Sequence, residues 1–440
     1  MRNMRRKTGI EILMISVLIL AGGQPLWASS ALSQPVRVGY GWSVENDVGE
    51  AVAEAVSMMN EMMTGTPPDW VTLFSTIGYD GEEVLEEMTN LLGDEVKIYG
   101  GTSCLGVMTN DGLHIGEVGS LAILGVTSPR IQFGVSGVSI EEVVSAREQG
   151  KKAILEAISD AGRTAEDPPQ IILITGNPSE EEEVLKGIEE IIGKDVPVIG
   201  GSSADNEIIG EWKQYANDRV YSTGVALTVI YTDLKLGWSY EMGYLRTANQ
   251  GVATKSEGRT IYEIDSRPAA VVYNEWIEGK LDDVLETGGD VLSRTTVYPL
   301  AKIVHGETGE NYYISIHPLS IELPEKSLTV FADVLEGTEL SLFYGNWELL
   351  LNRAYTTPMQ ARARGNISVE EAGFAIFTFC AGTMLAIPEG ERPKIPLLVK
   401  NIMGETPFIG TFTFGEQGFL PGVGNVHGNL ASSMVVLAEE

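Results

Sequence analysis

Residues 96–103 (VKIYGGTS) decide the fold, because a closely similar stretch, VPVIGGSS, recurs at residues 196–203. In each copy a short apolar segment runs into two glycines and two hydroxyl side chains. The repeat extends upstream, since EEVL occurs at both 82–85 and 182–185. Strands that alternate with helices are typical of α/β layers. We therefore predict an α/β fold whose N-terminal domain contains the same unit twice.

The local signals for helix ends also repeat at the same spacing. Asp80 and Ser179 are predicted N-caps, and each is followed by glutamate three residues later, as in a capping box. Gly93 and Gly193 are predicted to end the two helices. The β-rich sequence that follows each copy predicts a pair of neighbouring strands.

The second half of the chain has a different pattern. Apolar strand-like segments alternate there with isolated helices, without the spacing of the first half. Gly, Asn, Gln and Lys interrupt the apolar pattern near residue 250. We predict an N-terminal domain over residues 36–245 and a second, mixed α/β (α+β) domain over residues 255–438.

Residues 1–31 have the organisation of a secretory signal peptide. A basic cluster precedes the apolar run Ile12–Ala21, and small residues follow from Ala28. A membrane anchor is the alternative, but a spanning helix needs about 20 apolar residues, and Gln24 and Pro25 interrupt this one. We predict a cleaved signal, an extracytoplasmic (periplasmic or secreted) protein, and no stable membrane span after cleavage.

The chain is strongly acidic, with 61 Asp and Glu against 30 Lys and Arg, a formal charge of −31. Nucleic acids and anionic membrane surfaces require basic protein surfaces. The composition therefore excludes nucleic acid as a partner and leaves small molecules or proteins.

The cysteines and histidines do not have the spacing of a metal site. The two cysteines, Cys104 and Cys380, are far apart in sequence, and whether they form a disulfide stays open. The four histidines are His114, His305, His317 and His427. None lies close in sequence to another or to a cysteine, so we predict neither a metal nor a cofactor.

The two Gly-Gly elements are predicted turns that contact a ligand. Paired glycines let the backbone approach a ligand closely, and N–H groups beside hydroxyls favour an anion. Tight turns that serve only packing are the alternative. The candidate ligand-binding residues are Gly100, Gly101, Thr102 and Ser103 with the following Cys104, and Gly200, Gly201, Ser202 and Ser203 with the following Asp205.

A second group of candidates lies near the C-terminus. Gly415 and Glu416 form a predicted turn in which the carboxylate receives an ammonium or guanidinium group. His427 precedes the last predicted strand, and its near-neutral pKa range suits either a structural or a chemical role. Cys380 ends an apolar strand, where core packing and a place in a pocket wall are both open.

An enzyme is the alternative interpretation. Cys104 or Ser103 could act as a nucleophile if His114, some ten residues downstream, served as its base. The chain has no Gly-x-Ser-x-Gly, His-Glu-x-x-His or Ser-x-x-Lys motif. A hydrolase therefore stays the second hypothesis, and an enzyme is the less favoured class.

The motifs together resemble the FIST family of prokaryotic sensory modules. The resemblance rests on the Gly-Gly elements and, near the C-terminus, on FGEQG at 414–418 and HGN at 427–429. It implies a FIST N-terminal domain and a FIST C-terminal domain over the two predicted ranges. It also implies sensing of small ligands such as amino acids, without established catalytic residues. Thr383 stands where the family often has arginine, which puts an anion-pairing role at that position in doubt.

The predicted function is therefore an exported small-ligand-binding sensory module. Amino acids or related small metabolites are the ligands that the resemblance implies. No kinase, cyclase or methyl-accepting region is recognised in the chain, so we expect its output to pass through a separate signalling protein. The oligomeric state stays open.

Overall fold

The computed structural model describes residues 36–307 and 309–440, so the predicted signal peptide over residues 1–31 lies outside the described residues. The strands are β1 Arg37–Ser43, β2 Trp70–Ser75, β3 Lys97–Thr102, β4 Val107–Thr109, β5 Gly112–His114, β6 Leu121–Thr127, β7 Ile131–Ser139, β8 Ile171–Gly176, β9 Val198–Ser202, β10 Gln214–Ala216, β11 Arg219–Tyr221, β12 Gly224–Thr232, β13 Leu236–Glu241, β14 Leu245–Glu257, β15 Thr260–Ile264, β16 Arg267–Pro268, β17 Gly289–Asp290, β18 Leu300–His305, β19 Asn311–Ile316, β20 Pro318–Glu322, β21 Ser327–Val330, β22 Glu339–Tyr344, β23 Ala372–Cys380, β24 Phe408–Thr413, β25 Glu416–Leu420, β26 Gly424–Gly428 and β27 Ser432–Ala438. The helices are α1 Val48–Met62, α2 Gly81–Leu92, α3 Ala146–Asp160, α4 Glu181–Ile192, α5 Ala269–Trp276, α6 Leu292–Thr295, α7 Trp347–Gly365, α8 Ala381–Ala386 and α9 Lys394–Met403.

One strand order recurs in three six-stranded sheets. The first sheet is β1-β6-β2-β3-β10-β11, the second is β7-β12-β8-β9-β25-β26, and the third is β13-β27-β23-β24-β4-β5. In each, the third and fourth strands are parallel and the other pairs are antiparallel. The mixed α/β fold class is thereby confirmed.

Each sheet ends in a hairpin that comes from a different part of the chain. The β4–β5 hairpin joins the third sheet through β24, β10–β11 joins the first sheet through β3, and β25–β26 joins the second sheet through β9. Strands from both predicted domains therefore share the second and third sheets. The predicted pairing of β6 with the strand after it is wrong, because β6 already hydrogen-bonds β1 on one side and β2 on the other.

The three sheets bury their apolar faces against one another. Their shared cluster includes Trp70 from the first sheet, Leu173 from the second and Ile376 from the third. Trp70 stacks on Phe133 with ring centroids 4.8 Å apart. Helices α1 and α2, α3 and α4, and α7 and α9 cover the outer faces of the three sheets. We call these three sheets with their helices the core.

Residues 245–344 form an additional sheet between β13 and α7, which we call the inserted sheet. It contains β14 to β22 and has its own apolar cluster around the fully buried Tyr273 of α5. Across the described ranges, no helix combines the length and the apolar character that crossing a membrane requires.

The Gly-Gly elements are strands, so the prediction of turns at these positions is wrong. Gly100 lies within β3 and Gly200 within β9. A Cβ atom on Gly100 would lie 1.7 Å from the carbonyl oxygen of Leu73, and one on Gly200 would lie 1.9 Å from that of Ile174. The glycines are there because the neighbouring parallel strand approaches too closely for any side chain.

The predicted helix ends are confirmed at three of four positions. Asp80 accepts hydrogen bonds from two backbone N–H groups of the first turn of α2. Gly93 and Gly193 end their helices with φ of 88° and 81°, which suits glycine. Ser179 is not an N-cap: α4 begins at Glu181 without a side-chain cap.

Candidate functional site

A cleft of about 600 Å³ lies between the core and the inserted sheet. Apolar side chains, among them Leu292, Phe331 and Phe414, supply most of its surface. A volume of this size and character suits a small organic ligand. The polar and charged side chains at its wall are Cys104, Ser179, Glu181, Asn206, Glu207, Arg259, Asp290, Ser293, Thr296, His317, Cys380 and Asn429.

Only three of the residues predicted from the sequence line this cleft. They are Cys104, Cys380 and Gly415. The other predicted residues do not line it; these are Gly100, Gly101, Thr102, Ser103, Gly200, Gly201, Ser202, Ser203, Asp205, Glu416 and His427. A direct ligand contact by these residues stays a prediction.

The hydroxyl groups beside the glycines are engaged within the protein. Thr102 Oγ1 accepts a hydrogen bond from the backbone N–H of Lys213 at 2.9 Å. Ser103 Oγ donates to the Gly106 carbonyl oxygen at 2.5 Å and accepts from the backbone N–H of Phe412 at 2.8 Å. Ser203 Oγ lies 3.0 Å from Thr175 Oγ1. These groups hold the sheets together.

Arg259 connects the inserted sheet to the core at the cleft. Its Nη2 lies 2.6 Å from Glu181 Oε2 and 3.0 Å from Glu182 Oε2, in the first turn of α4. The arginine side chain is 21% exposed and the glutamates 5% and 14%, so solvent screens these pairs only weakly. No described residue accepts a hydrogen bond from Arg259 Nη1, which leaves that donor available to a ligand. The buried Nε also has no hydrogen-bond partner within the described ranges, although Asp333 Oδ1 lies 3.7 Å from it.

The carboxylate of Glu182 remains ionised although it is buried. Burial alone would raise its pKa, but His427, Arg259 and Lys302 lower the pKa to about 2. Glu182 Oε1 also accepts a hydrogen bond from the backbone N–H of Asp333 at 2.8 Å. Both sides of the cleft are thus held together by charge as well as by packing.

The same carboxylates lie beside a histidine. Single ligand atoms of Glu181, Glu182 and His427 lie within 4.8 Å of one another, which is close enough to surround a cation. Arg259 already forms ion pairs with both carboxylates, and Ser202 Oγ donates to Glu181 Oε1 at 2.8 Å. A metal ion would have to displace the arginine.

The two cysteines are free thiols on either side of β24. The backbone N–H of Cys104 donates to the carbonyl oxygen of Phe412, and Cys380 pairs with Thr413 from the opposite side. Two strand spacings separate their backbones by roughly 9–10 Å, beyond the roughly 7 Å Cα separation that a disulfide tolerates. Burial raises the pKa of both thiols to about 12. They are therefore neutral groups in the cleft wall.

The proposed hydrolase pair is not assembled. His114 stacks on Trp42 with ring centroids 3.8 Å apart, and its Nε2 lies 2.8 Å from Thr109 Oγ1. Burial lowers the pKa of His114 to about 4, with Asp111 opposing the shift. No hydrogen bond joins its ring to Ser103 or Cys104 among the residues that the structure describes. A nucleophile and a base would need such a contact.

Glu416 is a fully buried acid behind the cleft wall. Its Oε1 accepts a hydrogen bond from Thr413 Oγ1 and its Oε2 accepts one from the backbone N–H of Ala431, both at 2.8 Å. Burial raises the pKa of Glu416 to about 7. The carboxyl group that was predicted to receive a ligand ammonium ties two C-terminal segments together.

Glu416→Gln should remove a pH-dependent contribution to stability. A pKa raised from 4.5 to about 7 favours the folded state while Glu416 is protonated, and this contribution is lost as the pH rises towards 7. The unfolding free energy of the wild type relative to E416Q should therefore fall by about 2–3 kcal/mol between pH 5 and pH 8. Urea titrations at both pH values measure it, with Glu405→Gln on the surface as control. A constant difference would contradict the burial argument.

Several cleft residues had no recognised signal in the sequence. Arg259, Trp212 and His317 come from loops or strand ends that are far apart in the chain. Glu181 did have a signal in the sequence. It occupies the position that Gly81 has in the first copy, at the start of two otherwise similar helices. This difference between the copies identifies a cleft residue, whereas the Gly-Gly pairs that the copies share do not line the cleft.

Comparison with known proteins gives the family. The FIST N domain matches residues 69–267 and the FIST C domain matches residues 269–419. Together these matches cover most of the chain, which therefore belongs to the FIST family. FIST domains are in general sensory, ligand-binding modules.

Individual similar proteins do not define the function further than the family does. The chain is 25% identical over 233 residues to the uncharacterized protein MJ1623 of Methanocaldococcus jannaschii, a match that covers 48% of this chain and 42% of that protein. A cyanuric acid hydrolase structure from A. caulinodans aligns over 92% of this chain and 100% of its own, at 9% identity and a TM-score of 0.40. A second cyanuric acid hydrolase structure gives 11% identity and a TM-score of 0.32 over the same shares. These scores are too low to bear on fold or activity.

Proposed function

We propose that this protein is a sensor whose small organic ligand occupies the cleft between the core and the inserted sheet. The observation that carries the proposal is the cleft itself, with its apolar walls and an arginine whose Nη1 forms no hydrogen bond with a described residue. FIST domains are sensory modules as a class.

The proposed ligand class is amino acids or related small metabolites. Arg259 Nη1 would bind a ligand carboxylate, and Glu207 and Asp290 at the cleft wall would attract an ammonium group. The apolar surface formed by Leu292 and Phe331 would accommodate a side chain. This assignment replaces Glu416 as the ammonium partner, because Glu416 is buried and already hydrogen-bonded.

Export and a separate signalling partner are further parts of the proposal. The basic, apolar and small-residue order of residues 1–31 supports an extracytoplasmic location. A sensor there would report ligand binding through another protein.

A thermal-shift screen of the purified protein over amino acids and small carboxylates tests the proposal. Ligand at a hundredfold excess over its Kd should stabilise the fold by about 2.7 kcal/mol. Ala386→Trp should abolish the shift, because Ala386 is half-buried at the cleft wall and an indole there would fill the space.

Ala165→Trp is the matched control, since Ala165 is half-buried in a turn and does not line the cleft. This variant should respond to ligand as the wild type does. If no compound in the screen stabilised the wild type, or if A386W responded equally, the proposed site would be wrong.

A further inference from the structure

One carboxylate holds an entire loop at the cleft. Asp205 is fully buried, and its two oxygens accept hydrogen bonds from five successive backbone N–H groups. Oδ1 accepts from residues 207 and 208, and Oδ2 accepts from residues 209, 210 and 211 at 2.9, 2.9 and 3.0 Å. We call residues 206–212 the Asp205 loop.

The Asp205 loop forms part of the cleft wall. Its residues Asn206, Glu207, Ile208 and Trp212 all line the cleft. Side-chain hydrogen bonds anchor its two ends: Asn206 Oδ1 accepts from the backbone N–H of residue 105 at 2.7 Å, and Trp212 Nε1 donates to the Asn177 side chain at 2.6 Å. Between these anchors, every backbone N–H from 207 to 211 donates to Asp205.

The loop connects β9 of the second sheet to β10 of the first, and it is longer than the two equivalent connections. Residues 203–213, eleven in number, separate β9 from β10, whereas residues 103–106, four in number, separate β3 from β4. In the third sheet only residues 414 and 415 separate β24 from β25. The β9–β10 connection is thus seven residues longer than the β3–β4 connection, and the additional residues fold around one buried carboxylate. Because functional residues are often found on such loops, we expect this one to do more than connect two strands.

We propose that Asp205 is the positioning residue of the ligand cleft, and that Glu207 and Ile208 on its loop determine which ligands fit. This rests on the proposed function. The Asp205 carboxylate does not line the cleft; it fixes the backbone from which the two selecting side chains project. Asparagine at 205 would keep one acceptor oxygen and place an NH₂ group against the remaining N–H donors, so the loop would lose its support.

Hydrogen exchange tests the positioning without a ligand. In Asp205→Asn the amides of residues 207–211 should exchange at least about tenfold faster, while those of β8 and β9 keep their rates. Asp80→Asn is the matched control, since it removes a carboxylate whose hydrogen bonds are with the first turn of α2 and not with the Asp205 loop. A variant that was only less stable overall would accelerate exchange throughout the second sheet. Unchanged exchange at 207–211, or uniform acceleration, would overturn the proposal.

Labelling of Cys104 is a second readout. Cys104 is 1% exposed and lines the cleft, and the backbone N–H of the neighbouring residue 105 donates to Asn206 of the loop. Methyl methanethiosulfonate, with modified peptides identified by mass spectrometry, should label Cys104 at least about tenfold faster in D205N than in the wild type or D80N, because the loop opens locally. Equal rates would overturn the positioning role.

Ligand affinity separates this proposal from the proposed function. With a ligand found by thermal shift, D205N should bind about tenfold or more weakly and discriminate less between ligands of different side-chain size, while D80N should bind normally. Unchanged affinity and selectivity in a D205N protein with a loosened loop would overturn the inference and leave the proposed function standing. If no ligand were found for the wild type, the proposed function would fail, and the selectivity part of the inference with it, whatever the exchange data showed.

Discussion

A chain carrying Gly100→Ala should not fold stably. The added Cβ would lie 1.7 Å from the carbonyl oxygen of Leu73, in the middle of the parallel pair β2–β3. Both backbones belong to a sheet that is buried on its two faces, so neither can move without breaking its ladder. We expect a loss of at least about 4 kcal/mol, measured as unfolding free energy in urea or seen as failure to accumulate soluble protein.

Gly176→Ala is the control for Gly100→Ala. Gly176 also lies in a central strand, at the end of β8, but a Cβ atom there would meet nothing closer than Val225 Cγ2 at 3.9 Å. This substitution should change stability by less than about 1 kcal/mol. Equal losses in the two variants would show that backbone approach is not what requires glycine at position 100.

Arg259→Met should destabilise the protein by about 3–5 kcal/mol, because it leaves the carboxylates of Glu181 and Glu182 buried without their partner. The inserted sheet would also lose its main ionic contact with the core at the cleft. Urea unfolding of the purified variant measures the loss.

The surface pair of Arg267 and Glu275 provides the control for this prediction. Its side chains are 49% and 54% exposed, so Arg267→Met should destabilise the protein far less than Arg259→Met does. If R259M were as stable as R267M, the ion pairs of Arg259 would not hold the cleft together.

Local elements of the fold were predictable because their signals lie close together in sequence. Asp80 caps the helix that it was predicted to cap, and Gly93 and Gly193 end their helices as predicted. The third sheet was missed for a physical reason. Its segments are separated by the inserted sheet at residues 245–344, and its fourth strand has Gly410-Thr411 in place of Gly-Gly.

The glycine pairs were recognised as special but were placed in turns, whereas they lie in strands. A strand glycine forced by a neighbouring carbonyl and a turn glycine forced by a ligand have the same sequence signature. Only the partner strand, which lies some 25 residues away in sequence, distinguishes them.

The candidate site was largely beyond sequence analysis. Cys104, Cys380 and Gly415 were identified and do line the cleft. Arg259 and Glu181 were not, because their significance lies in a contact between segments 78 residues apart. Asp205 was identified as a ligand contact, whereas its carboxylate supports the backbone of the cleft wall.

Native mass spectrometry of the purified wild type and of Ala386→Trp tests the central claim, that the cleft holds a small organic ligand. The wild type and the Ala165→Trp control should bind one small molecule per chain, either co-purified or added from the thermal-shift hits. Ala386→Trp should carry none at the same concentration. A small molecule bound equally by A386W, or none bound by the wild type, would contradict the claim.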